Sequence, residues 1–73
     1  MYLTIREACG DLANPLSVLQ WLQADHSGER QATYRITNNP YYGPGDEADN
    51  YLILTEVAQS MIDHYIKDLN EGG

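Results

Sequence analysis

YLILTEVAQSMIDHYIKDL, residues 51–69, is the longest stretch of regular hydrophobic pattern in this chain of 73 residues. Its first four residues suit a short strand. Thr55 then offers a hydroxyl that can cap a following helix, and Glu56 suits the positive end of the helix dipole. Apolar residues recur from there at three- and four-residue steps, which predicts about four helical turns with one apolar stripe. The stripe consists of Leu54, Ala58, Met61, Ile62, Tyr65, Ile66 and Leu69.

Two shorter helices are predicted in front of this one. Thr4 and Glu7 have the spacing of a capping box, so a first helix should begin at Ile5 and run to about residue 13. Asn14 followed by Pro15 indicates the start of a second helix that reaches about residue 25. The residues predicted to face inward are Ile5, Ala8, Cys9 and Leu12 on the first helix and Leu16, Val18, Leu19 and Leu22 on the second.

A hairpin is predicted between the second helix and the last one. Residues 31–37, QATYRIT, alternate apolar and polar side chains, which is typical of a half-buried strand. We expect this strand to pair with residues 51–54. The connection, residues 38–50 (NNPYYGPGDEADN), exceeds a usual hairpin loop, and loops of such length are either functional or disordered. The predicted fold is α+β, with three helices and a two-stranded antiparallel hairpin in one domain, residues 1–73.

The charge balance is the most informative property of the composition. Eleven acidic residues stand against four basic ones, which gives a formal net charge of −7. Because charges are screened over ~10 Å at moderate salt, those of a small domain act partly as one field. That field repels phosphate backbones and attracts basic surfaces, such as those of nucleic-acid-binding proteins. Solubility is the alternative explanation, since net charge also keeps small proteins in solution.

Length and motifs favour a binding protein over an enzyme. A chain this short has room for one small core and none for an enclosed substrate cavity. His26 and His64 lie in separate predicted elements, and no nucleophile turn or phosphate-binding loop is present. Cys9 is single, and no apolar run opens the chain, so we expect a cytoplasmic protein without a disulfide. No apolar segment approaches the roughly 20 residues that cross a bilayer.

The order of predicted elements resembles the small winged helix-turn-helix domains of phage excisionases. In that family an opening Leu-Thr-x-x-Glu-Ala helix is followed by a recognition helix, a hairpin wing and a C-terminal helix. The resemblance implies a winged-helix fold and DNA binding, to which Arg30, Arg35 and Lys67 would contribute. Residues 15–27, expected in the major groove, contain no Lys or Arg, and this favours another role. The matching residues are Leu3, Thr4, Glu7, Ala8 and Leu12.

The acidic loop suggests that other role. Carboxylates on a compact scaffold can stand in for the phosphates of a duplex, and tyrosines can serve as rigid anchors. In size and charge the chain resembles small acidic phage inhibitors of CRISPR complexes that mimic DNA. The expected partner is a basic nucleic-acid-binding protein, and the predicted binding residues are Tyr41, Tyr42, Asp46, Glu47, Asp49, Tyr51, Asp25 and Glu29.

Three other interpretations of the sequence remain. Asp46, Glu47 and Asp49 could bind calcium, but they lack the spacing of a calcium-binding loop, so we expect no metal or cofactor. The loop could instead be an ordinary solvated surface segment. A homodimer could form through the hairpin edge or through Trp21, a residue that lies off the leucine stripe and either widens the core or serves as an exposed anchor.

Overall fold

The computed structural model of the protein describes residues 1–41 and 47–72. These residues form an α+β fold of four α-helices and a three-stranded antiparallel sheet. A single turn of 3-10 helix, Glu47–Asp49, precedes the last strand. The strands are β1 (Tyr2–Thr4), β2 (Thr37–Asn38) and β3 (Tyr51–Leu54), and the helices are α1 (Ile5–Cys9), α2 (Pro15–Gln23), α3 (Glu29–Thr33) and α4 (Thr55–Gly72).

The sheet has the order β1, β3, β2, with β3 antiparallel to both neighbours. Leu52 of β3 lies opposite Thr4 on one side and Thr37 on the other. The prediction of only two strands is wrong, because β1 has three residues and is too short to show a period of its own. Pairing with β3 defines β1, and the carbonyl oxygen of Met1 extends this pairing by accepting a 2.9 Å hydrogen bond from the Thr55 amide.

The predicted helix starts are confirmed for α1 and α2. Thr4 accepts a hydrogen bond from the Glu7 amide, and the Glu7 carboxylate accepts one from the Thr4 amide, which completes the capping box. Asn14 accepts a 3.1 Å bond from the Ser17 amide, and Pro15 occupies the first turn of α2. These caps satisfy amides that a helix end would otherwise leave unpaired.

Helix α1 ends at Cys9 and not near residue 13, because Gly10 adopts φ 52° and ψ −127°. This is a backbone conformation that other residues rarely tolerate. A Cβ atom placed on Gly10 would meet no atom within 4 Å, so the backbone angle and not close packing requires glycine here. The early end leaves Leu12 63% exposed, which corrects its predicted place in the core.

The predicted strand over residues 31–37 is also wrong, because residues 29–33 form helix α3. Arg35 ends this helix in the left-handed region at φ 53°. The Arg35 amide bonds the Ala32 carbonyl, and the Ile36 amide bonds the Gln31 carbonyl, which is the Schellman pattern of a helix C-terminus. A helix this short shows less than two full periods in sequence, so the alternation of apolar residues imitated a strand.

The hydrophobic core lies between the helices and one face of the sheet. The Cys9 thiol is fully buried there, as expected, and burial raises its pKa, an effect that the charge of Arg6 partly offsets. The inward face of α4 is confirmed for four residues, whereas Ile66 and Leu69 remain 36% and 56% exposed, and Leu16 of α2 is 41% exposed. The core residues are Ile5, Cys9, Val18, Leu22, Tyr34, Ile53, Ala58, Met61, Ile62 and Tyr65.

Across residues 1–41 and 47–72, no helix combines the length and the apolar character needed to span a membrane.

Candidate functional site

Arg30 of α3 is held against helices α2 and α4. Its Nη1 donates a 2.8 Å hydrogen bond to the carbonyl oxygen of Trp21, and its guanidinium carbon lies 4.7 Å from the centroid of the Trp21 ring. Its Nη2 is 3.6 Å from Oδ2 of Asp68, which also accepts a 3.1 Å bond from Trp21 Nε1. One arginine therefore joins three helices, and its charge is directed toward groups of this chain.

His64 belongs to the same cluster, although its side chain is 40% exposed. Its Nδ1 lies 2.7 Å from the Tyr34 hydroxyl oxygen, and its Nε2 lies 3.5 Å from Asp68 Oδ2. Its ring packs against the Trp21 ring in a T-shaped arrangement, with the two centroids 4.9 Å apart. Burial raises the pKa of Tyr34, and the nearby charge of Asp68 raises it further. The contact between His64 and Asp68 could have been predicted from the sequence, because residues four apart lie on the same face of a helix.

Asp25 and Glu29, two of the predicted binding residues, border an open cavity of about 330 Å³ between α3 and α4. The Asp25 carboxylate accepts hydrogen bonds from the Ser27 hydroxyl at 2.8 Å and from the Arg30 amide at 3.1 Å, and these bonds lower its pKa. Asp25 therefore satisfies a backbone amide in the first turn of helix α3, a structural role that the sequence did not indicate. The Glu29 residue is exposed in the first turn of α3.

Asn39 closes the base of the predicted 38–50 loop. Its amide donates a 2.7 Å bond to the Asn50 carbonyl, and its Nδ2 donates a 2.9 Å bond to the Asp49 carbonyl. Its Oδ1 accepts a 3.0 Å bond from the Tyr41 amide. The turn after β2 and the 3-10 helix before β3 are therefore joined through one side chain.

Four of the remaining predicted binding residues are described, and they lie near this loop base or in β3. Tyr41 is 90% exposed, Glu47 is exposed, and Tyr51 is half-buried against the core. Asp49 lies 3.3 Å from Arg6 Nε, with both side chains at least 40% exposed, so the pair contributes little stability. Tyr42 and Asp46 lie outside the described residues.

The outer face of the sheet is an apolar surface that was not predicted from the sequence. Ile53 points into the core and Leu3 packs against it, so the alternation of a strand places Tyr2, Leu52 and Leu54 on the opposite face. A groove of about 560 Å³ runs over this face beside the loop base. We call it the sheet groove, and its lining residues are Tyr2, Thr37, Asn38, Asn39, Pro40, Tyr41 and Leu52.

Within the described part of the chain, no three His, Cys, Asp or Glu side chains are grouped so that they could hold a metal ion. Comparison of this chain with models of protein families, with curated proteins and with solved structures finds no match.

Proposed function

We propose that this is a small acidic binding protein that occupies the nucleic-acid site of a basic nucleic-acid-binding protein or complex. It acts as a DNA mimic in the cytoplasm and inhibits its partner, in the way of the small acidic phage inhibitors that it resembles. The observation that carries this proposal is the position of the arginines. Two of the four basic side chains of this chain, Arg6 and Arg30, contact carboxylates of the same chain.

These contacts matter because phosphate binding depends on available cations. DNA-binding proteins neutralise phosphates with Lys and Arg, and a protein can make about six to ten such contacts. Arg30 is the more strongly held of the two arginines, since it also bonds the Trp21 carbonyl and stacks on the ring. Arg35 and Lys67 are exposed, but two positive charges do not offset the eleven acidic residues of the chain.

The carboxylates, in contrast, reach solvent on three of the four helices. They lie on α1, α3 and α4, in the turn after α1 and on the 3-10 helix before β3. Such a distribution suits the electrostatic attraction of a basic protein surface, which raises the rate of encounter and favours binding at low salt. The exposed acidic residues are Glu7, Asp11, Glu29, Glu47, Glu56, Asp63 and Glu71.

Tyr41 gives the proposed interface an anchor. Its side chain is 90% exposed, and its backbone amide donates a hydrogen bond to Asn39 Oδ1. Because this bond already holds the Tyr41 backbone, a partner can contact the side chain without first immobilising the backbone. Tyrosine is enriched at sites that dominate binding energy. Glu47 is exposed at the other end of the loop, in the 3-10 helix that the buried Ala48 fixes to the core.

Affinity capture from a nuclease-treated lysate tests this proposal. The immobilised protein should retain basic nucleic-acid-binding proteins at about 50 mM salt and release most of them by about 200 mM. Glu29→Gln and Glu47→Gln should each reduce recovery, while Glu71→Gln, which removes the same charge near the end of α4, should not. Capture that does not depend on salt, or that all three variants reduce equally, would contradict the proposal.

A winged-helix DNA-binding regulator is the second candidate. One observation favours it: α1 and α2 precede an antiparallel pair, β2 and β3, and α4 follows, which agrees with the order expected for excisionase-type domains apart from the additional helix α3 before β2. A gel shift with duplex DNA at about 50 mM salt tests this candidate. A retarded band that Arg35→Ala weakens would support it. The absence of any shift would remove it.

A further inference from the structure

The described residues that line the sheet groove carry no charge, although the chain as a whole is rich in charged side chains. These seven residues are apolar or neutral, whereas 21% of the chain is charged. Depletion of charge and enrichment of aromatic residues are typical of the centre of a protein interface, and charged residues belong to its rim. The described part of the groove therefore has the composition of an interface core, on a chain whose net charge is −7.

Solvent reaches the large apolar side chains that line this groove. Tyr2 is 51% exposed and Tyr41 is 90% exposed, while Leu52 on the central strand β3 is half-buried. Among the described residues, no helix lies over this face, because the helices pack on the side of Ile53. Contiguous exposed apolar surface on a small protein commonly indicates a binding site.

We infer that the sheet groove receives an apolar or aromatic side chain of the basic partner, presented between lysine or arginine residues. This inference rests on the proposed function and specifies which surface of the protein makes the central contact. Charge selects this occupant over a second copy, because two chains of net charge −7 repel each other and a basic partner is attracted. The groove is also continuous with Tyr41, the proposed anchor.

A pair of matched peptides tests the inference. The probes are acetylated Lys-Arg-Trp-Arg-Lys and its counterpart with serine in the central position, which carry equal charge. Binding to isotope-labelled protein is followed by backbone amide chemical shifts at about 50 mM and about 200 mM salt. We expect the tryptophan peptide to half-saturate the protein at a concentration about tenfold lower. The largest shifts should fall on Tyr2, Thr37 and Leu52.

Two variants locate the contact. Tyr41→Ser alters a side chain that is 90% exposed, so it should leave the fold unchanged and abolish the advantage of the tryptophan peptide. Leu69→Ser removes an exposed apolar side chain from α4 instead, at 56% exposure, and should retain that advantage.

The possible outcomes separate this inference from the proposed function. Equal binding of both peptides would overturn the inference and leave the electrostatic attraction of the proposed function intact. Failure of both peptides to bind at low salt would overturn the proposed function and the inference together. Shifts of the same amides with protein concentration alone would show that a second copy occupies the groove, and would also overturn the inference.

Discussion

Replacing Arg30 with alanine tests whether this cation serves the fold of the chain. The variant loses the bond to the Trp21 carbonyl, worth about 1 kcal/mol, and the stacking on the ring, worth about 0.5 to 1 kcal/mol. The pair with Asp68 adds at most about 0.5 kcal/mol, because both side chains are roughly one-third exposed. We expect a loss of about 2 kcal/mol in the free energy of unfolding.

Such a loss is large for a domain of this size. At roughly 0.05 to 0.15 kcal/mol per residue, the whole chain is stabilised by only about 4 to 11 kcal/mol. The Tm of Arg30→Ala should therefore fall by about 8 to 16 °C. Urea unfolding followed by far-ultraviolet circular dichroism is the suitable assay, because Trp21 fluorescence would change with the removal of Arg30 itself.

Arg35→Ala is the matched control, since it removes the same charge from an exposed position five residues later. Its unfolding free energy should stay within about 0.5 kcal/mol of the parent protein. Equal stability of Arg30→Ala and Arg35→Ala would refute the reasoning, because the Arg30 guanidinium would then contribute nothing to the fold and would be available to a phosphate backbone.

Three further substitutions test local features of the fold. Gly10→Ala should lower the free energy of unfolding by about 1 to 3 kcal/mol, because alanine is strained at φ 52° and ψ −127°; an unchanged denaturation midpoint would contradict this. Arg35→Gly should raise it by about 0.5 to 1 kcal/mol, because glycine accepts the left-handed end of the Schellman motif without strain, and a lower Tm would show otherwise. Asp25→Ala should destabilise the protein at neutral pH, and its difference from the parent should shrink as the pH falls below the usual aspartate pKa of about 3.9. The hydrogen bonds lower the folded-state pKa of Asp25, so its stabilisation is present above the unfolded-state pKa and is lost as the carboxylate is protonated; a difference independent of pH from neutral to strongly acidic conditions would contradict this.

Local chemistry made parts of the fold predictable from sequence. The capping residues Thr4 and Asn14 act on amides within three residues, so their effect is visible without tertiary information. The stripe of α4 extends over enough turns to define one face, and its first four helical members are buried as predicted. The burial of Cys9 followed from its place on the face of α1.

Features set by tertiary contacts or by backbone angle could not be predicted in the same way. Strand β1 exists because β3 pairs with it, and three residues carry no period. Helix α3 depends on the hydrogen bond from the Arg30 amide to Asp25 and on the positive φ of Arg35, neither of which alters the hydrophobic pattern. The sheet groove was missed because Leu52 and Leu54 were assigned to a strand and a core stripe without the register that turns them outward.

The candidate site likewise contains features that can be predicted from the sequence and features that only the tertiary structure shows. The exposure of Tyr41 followed from its place in a long polar loop. The contact of Trp21 with His64 and Asp68 could not be foreseen, because it joins helices α2 and α4, which are far apart in the chain. The hydrogen bond from the Arg30 amide to Asp25 could not be predicted either, because residues 31–37 were predicted to form a strand and not a helix.

The most direct test of the central claim is competition between this protein and duplex DNA for one captured partner. Labelled DNA is bound to the purified partner, the protein is titrated in, and release of DNA is followed by fluorescence anisotropy at about 50 mM and about 200 mM salt. DNA mimicry predicts complete displacement of the DNA, with binding of the protein weaker at the higher salt concentration. A ternary complex that retains the DNA, or binding of the protein that is equally strong at both salt concentrations, would contradict it.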